Sequence, residues 1–121
     1  MDVRRIAAAL LVAMCVLASG AHAQGMRWLR GNEGVGLTQA DFELQRATIR
    51  KTLDEEPDGG RGTWENADTG HSGEVLPLRT FTNDGQRCRV FRLVMRGTQT
   101  RDLEFRACKQ PDGEWRIPAA G

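Results

Sequence analysis

The chain has no tyrosine, two histidines, three cysteines and four prolines among its 121 residues, and each shortage removes a class of explanation. His71 is the one histidine beyond residue 23, so no histidine pair is available for a metal centre or for a nucleophile and its base. Gly59-Gly60-Arg61-Gly62 lacks the lysine and hydroxyl residue that a phosphate-cradling loop requires. Asp54, Glu55 and Glu56 crowd together beside Pro57 as surface acids rather than as a catalytic pair. Neither later cysteine sits in a Cys-x-x-Cys arrangement that would activate a thiolate. The formal net charge is only +1, which argues against a nucleic-acid binder. No metal, cofactor or catalytic residue is expected.

Long apolar runs are equally scarce. A single one, Ile6 to Leu17, follows Arg4 and Arg5 and precedes Ala21-His22-Ala23, the layout of a cleavable secretory signal over residues 1–23. It is too short for a comfortable membrane-spanning helix, and no second such run appears, so the mature chain is expected to have no transmembrane helix. A lipid anchor on Cys15 is the competing reading. Met14 stands where lipoprotein signals carry a small residue, so cleavage after Ala23 is preferred. Loss of Arg4, Arg5 and Asp2 with the signal brings the two charge signs level.

Cleavage removes Cys15 and leaves Cys88 and Cys108, which in an exported chain points to one disulfide. Residues 24–36 end in Gly31-Asn32-Glu33-Gly34-Val35-Gly36 and read as a flexible leader. One domain, 37–121, follows. Thr38 with Asp41 three residues on predicts a helix N-cap, and Phe42, Ile49 and Leu53 recur at helical spacing, which gives a helix over about 39–53. Pro57-Asp58-Gly59-Gly60 ends it.

Beyond Gly60 the chain reads as strand: Gly62 to Asn66, Gly73 to Thr82, Gln86 to Arg96, Thr100 to Lys109 and Glu114 to Ile117. The connections Asp68-Thr69-Gly70, Asn83-Asp84-Gly85, Gly97-Thr98 and Pro111-Asp112-Gly113 are turn sequences, so the strands form an antiparallel meander. If Arg96 and Thr100 flank a loop centred on Thr98, Phe91 falls opposite Phe105, Leu93 opposite Leu103, Arg92 opposite Glu104 and Cys88 opposite Cys108. Pro77 marks an edge or a bulge. The expected fold is α+β: one N-terminal helix packed on an antiparallel meander of about five strands, with one disulfide.

Three blocks carry a family likeness. Trp64-x-Asn66-x-x-Thr69-Gly70-x-x-Gly73-x-Val75-x-Pro77-x-x-Thr80, then Gly85-x-x-Cys88-Arg89-x-Phe91, then Ala107-Cys108-x-x-Pro111-Asp112-Gly113-x-Trp115, resemble the C-terminal domain of the rickettsial-type 17 kDa surface antigen family. The resemblance spans roughly Leu37 to Ile117 and implies a small bacterial envelope protein with no assigned reaction. Many members resemble lipoproteins and carry a long glycine-rich segment before this domain, whereas this leader holds only a short glycine cluster. The implied location is exported, in the periplasm or associated with the outer membrane or cell surface.

Candidate binding residues each have a plainer alternative. Trp64 and Trp115 are stacking platforms or core plugs. Asn66 to Gly73 is a recognition loop or simply a tied turn, with His71 a solvated residue on it. Arg87, Arg89, Arg92, Arg96, Arg101 and Arg106 crowd one hairpin and can meet an anionic envelope surface, or they solubilise a sheet face with Arg92 paired to Glu104. The functional expectation is a noncatalytic module that binds an envelope protein or an anionic envelope surface. The alternative is a small-ligand or inhibitor-like periplasmic carrier with a pocket between helix and sheet, lined by Trp64 or Trp115.

Overall fold

The computed structural model describes residues 35–118. The expected signal, Cys15 and residues 24–34 of the leader lie outside the described residues. Five strands follow one helix: α1 (Gln39–Glu55), β1 (Gly62–Asn66), β2 (His71–Asn83), β3 (Gln86–Arg96), β4 (Thr100–Lys109) and β5 (Trp115–Arg116). They form one antiparallel sheet in chain order, β1-β2-β3-β4-β5. This is the meander that the turn sequences predict.

The helix starts where its cap dictates. Thr38 Oγ1 accepts from the Asp41 amide at 3.2 Å and Asp41 Oδ2 accepts from the Thr38 amide at 2.8 Å, a reciprocal box that satisfies two otherwise orphaned donors. It runs to Glu55, past the expected Leu53, because Pro57 disfavours helical backbone only at Glu56, which is extended at φ −93° and ψ 144°. Its buried stripe is Asp41, Gln45, Ile49, Thr52 and Leu53. That stripe opens with two polar residues, while Phe42 is only half-buried.

The sheet registers follow from two local features. Asp84 and Gly85 both have positive φ, 52° and 78°, which makes the β2–β3 connection a two-residue turn whose twist suits a hairpin. Across β3 and β4, Phe91 faces Phe105, Leu93 faces Leu103 and Cys88 faces Cys108, as the centred loop predicts. The two cysteines are bonded. The loop they close spans 20 positions and contributes roughly 3 kcal/mol by constraining the unfolded chain. In β2 the register shifts between Pro77 and Arg79, so Leu78 bulges outward and is 42% exposed.

Alternation then divides the sheet into two faces. Val75, Phe91, Leu93, Met95 and Ala107 pack with Ile49, Leu53 and Val35 in the core under α1. Val35, which composition assigns to the leader, is fully buried, and its carbonyl accepts from the Thr98 amide at 2.7 Å. Gly97 is required there, since a Cβ would collide with that carbonyl. The opposite face carries Phe81, the Cys88–Cys108 bridge, Val90, Arg92, Val94, Asp102, Glu104 and Arg106. The expected Arg92–Glu104 ion pair is replaced on that face by Arg92 with Asp102, a diagonal neighbour within reach of a long side chain.

Candidate functional site: two polar anchors and an arginine-rich face

Asn66, His71 and Thr69 converge on one carboxylate. Asp41 is fully buried, and Oδ1 accepts from Asn66 Nδ2 at 2.9 Å and from Thr69 Oγ1 at 2.8 Å, while Oδ2 accepts from His71 Nδ1 at 2.8 Å besides the Thr38 amide. Burial alone would raise the carboxyl; the Thr38 amide, His71, Thr69 and Asn66 outweigh it and hold Asp41 well below the usual carboxylate range. An ionised carboxylate only accepts, so His71 carries its proton on Nδ1. His71 is therefore not the solvated loop residue expected. It is the first residue of β2, with a side chain 17% exposed, and it ties the β1–β2 turn to the start of α1. Asn66 also closes its own turn by accepting from the Asp68 amide at 3.0 Å.

A second anchor holds the other end of the helix. Arg89 is 1% exposed; Nη1 donates to the Leu53 carbonyl at 2.8 Å, Nε to Thr80 Oγ1 at 2.9 Å, and Nη2 to Asp58 Oδ1 at 2.8 Å. Thr80 in turn donates to Asp58 Oδ1 at 2.8 Å. Hydrogen bonding from Arg89 and then Thr80 keeps Asp58 ionised below its ordinary range. A guanidinium at the last helical carbonyls suits the negative end of the helix dipole. Arg89 is thus enclosed and does not reach an external anion.

The remaining nominated residues lie apart from these anchors. Trp64 is 6% exposed in the interface of α1 and β1 and lies over Gly73, where a Cβ would collide with its indole Nε1. Among the described residues, its Nε1 and the side-chain amide of buried Gln45 have no hydrogen-bond partner. Trp115 is half-buried and donates from Nε1 to Asp54 Oδ1 at 2.9 Å; Lys109 donates to the same oxygen at 2.8 Å. Burial raises Asp54, but those two donors prevail and lower it. Arg87 and Lys109 both lie 5.9 Å from the Trp115 ring. The six candidates therefore form no single site.

Arginines on the face away from α1 fall into two groups. Arg92 is paired with Asp102, and Glu74 accepts from Arg96 at 2.8 Å and from Arg61 at 3.0 Å. Arg92, first of all by hydrogen bonding, holds Asp102 below its ordinary range, and Arg96 does the same for Glu74. Arg79 and Arg106 instead lie against the ring of Phe81. Sequence reasoning missed Asp41 as a hub and Arg79 altogether. The capping pattern Thr38-x-x-Asp41 beside Asn66-x-x-Thr69 was the available signal for the first. A cleft of about 330 Å³ lined by Thr63, Trp64, Glu65, Ser72, Gly73, Glu74 and Arg96 is at the small end for ligand pockets, and its Glu74 and Arg96 already engage each other. Among the described residues no group of metal-binding side chains occurs, and no helix is long and apolar enough to cross a membrane.

Comparison with known proteins places these features in a family. The family described as 17 kDa outer membrane surface antigen matches residues 51–116. The 17 kDa surface antigen of Rickettsia bellii (strain RML369-C) is 34% identical over 102 residues, covering 83% of this chain and 64% of that protein. The antigen of Rickettsia conorii is 35% identical over 84 residues, covering 68% and 53%, and that of Rickettsia prowazekii is 35% identical over 81 residues, covering 65% and 51%. The chain thus spans less than two thirds of the length of these relatives. No solved structure matches it. On both the residues matched and the extent of the identity, the chain belongs to the 17 kDa outer membrane surface antigen family.

Proposed function

We propose that the chain is an exported, noncatalytic cell-envelope module that binds an envelope protein or an anionic envelope surface. The observation that carries this reading is the fate of the polar motif residues. Asn66, Thr69, His71 and Arg89, the side chains best equipped for chemistry, are spent on Asp41 and on the end of α1. What faces outward is a sheet surface rich in arginine, together with Arg87 beside Trp115 at the sheet end. Such a surface suits association rather than turnover. Family membership supports an envelope location in the periplasm or at the outer membrane.

Fractionation of native cells with mild crosslinking tests the reading. The protein is expected in an envelope fraction, with an unreduced mass that begins at Gln24 and lacks two hydrogens for the Cys88–Cys108 bridge. Recovery as an unassociated monomer from every gentle extract would sink the binding role. A lipid-modified chain beginning at Cys15 would replace a diffusible module by an anchored one.

A further inference from the structure

Arg79 and Arg106 stand out among the arginines of the outer sheet face. They lie on either side of Val90 in one cross-strand row, next to the row Phe81, Cys88 and Cys108. Their guanidinium carbons sit 5.5 Å and 5.3 Å from the centroid of the same Phe81 ring. Beneath them Val90 is 5% exposed and the bridged Cys88 and Cys108 are buried, which gives this platform a closed floor. Arg61, Arg92, Arg96 and Arg116 each hold a carboxylate. Among the described residues, neither Arg79 nor Arg106 makes an ion pair.

We infer that Arg79 and Arg106, held on Phe81, form a clamp for a phosphomonoester carried by an anionic glycolipid of the cell envelope. Two planar guanidinium groups offer paired donors, and a phosphomonoester presents enough oxygens to accept from both, which a lone carboxylate does less well. The aromatic contact restrains both long side chains before binding, which lowers the ordering cost of capture. Because the chain as a whole is nearly neutral, the attraction is local to this pair of guanidinium groups. Exposed Leu78, immediately before Arg79 at the bulge, adds an apolar contact beside the charged one, which an amphiphile can use and a soluble phosphate cannot. The inference rests on the envelope reading above and names the ligand class for it.

The disulfide-bonded protein is mixed with phosphatidylcholine vesicles containing diphosphoryl lipid A, or the same glycolipid with its phosphates removed, and co-sedimentation is measured. Binding is expected to the phosphorylated vesicles only and to survive millimolar inorganic phosphate. Replacing both arginines (R79Q with R106Q) is expected to weaken it about thirtyfold, and R106Q alone, which serves if the double variant does not fold, about fivefold. R46Q, on the exposed side of α1, should bind like the parent chain. Equal binding by the double variant, or to dephosphorylated vesicles, overturns the clamp while leaving the envelope reading intact. Displacement by inorganic phosphate overturns the lipid source. Absence of the native protein from every envelope fraction overturns the envelope reading itself, whatever the vesicles show.

Discussion

The two ends of α1 are held by buried groups of opposite charge, and they differ in how tightly each charge is enclosed. At the N-terminal end Asp41 is fully buried and saturated by four donors. At the C-terminal end Arg89 is just as buried, but its counterion Asp58 has a side chain 42% exposed. Each charge suits the helix dipole at its own end. The difference teaches that at the first anchor the carboxylate is itself sealed beneath partly exposed donors, while at the second the counterion already meets water and can rehydrate when the pair is broken.

That contrast predicts unequal costs. Asp41→Ala should lose roughly 3 kcal/mol in urea unfolding, because it removes the one buried acceptor shared by the partly buried Asn66, Thr69 and His71 donors and the Thr38 amide. A loss no greater than that of a surface cap would break the claim that Asp41 is a shared hub. Acid should act on the same anchor. Asp41 has its folded pKa depressed, so its contribution is fully present above the unfolded value of about 4 and is lost as pH falls through the folded one. Urea midpoints should therefore decline from about pH 5 downward, and Asp41→Asn should show a shallower decline than the parent chain. Asp54, Asp58, Glu74 and Asp102 are also depressed, which leaves some slope in that variant.

Smaller effects sharpen the comparison. Arg89→Met should cost roughly 2 kcal/mol, since the methionine refills the buried stem, Asp58 turns to solvent and only the Leu53 carbonyl stays unpaired. If it cost as much as Asp41→Ala, the two ends would be equivalent. Between the anchors, Gln45 is buried with neither side-chain polar atom bonded among the described residues. Gln45→Leu should gain roughly 1 kcal/mol by removing that unsatisfied amide, read as a raised urea midpoint at unchanged slope. A loss of stability there would mean that the amide has a partner in solution.

Chain order alone determined the features whose cause is local. The Thr38 and Asp41 cap, the Asp84-Gly85 turn and the alternation of β3 and β4 each act within a few residues, and one loop centre aligned Phe91 with Phe105 and Cys88 with Cys108. Only tertiary structure decided what the polar side chains do. His71 meets Asp41 across 30 positions, Arg89 meets the Leu53 carbonyl across 36, and Trp115 meets Asp54 across 61. Arg92 chose Asp102 over the facing Glu104, and Arg79 came to share the Phe81 ring with Arg106. The physical reason is the reach of the interactions: backbone turns and caps are specified by neighbours in the chain, whereas a buried charge is specified by whichever donors folding brings around it.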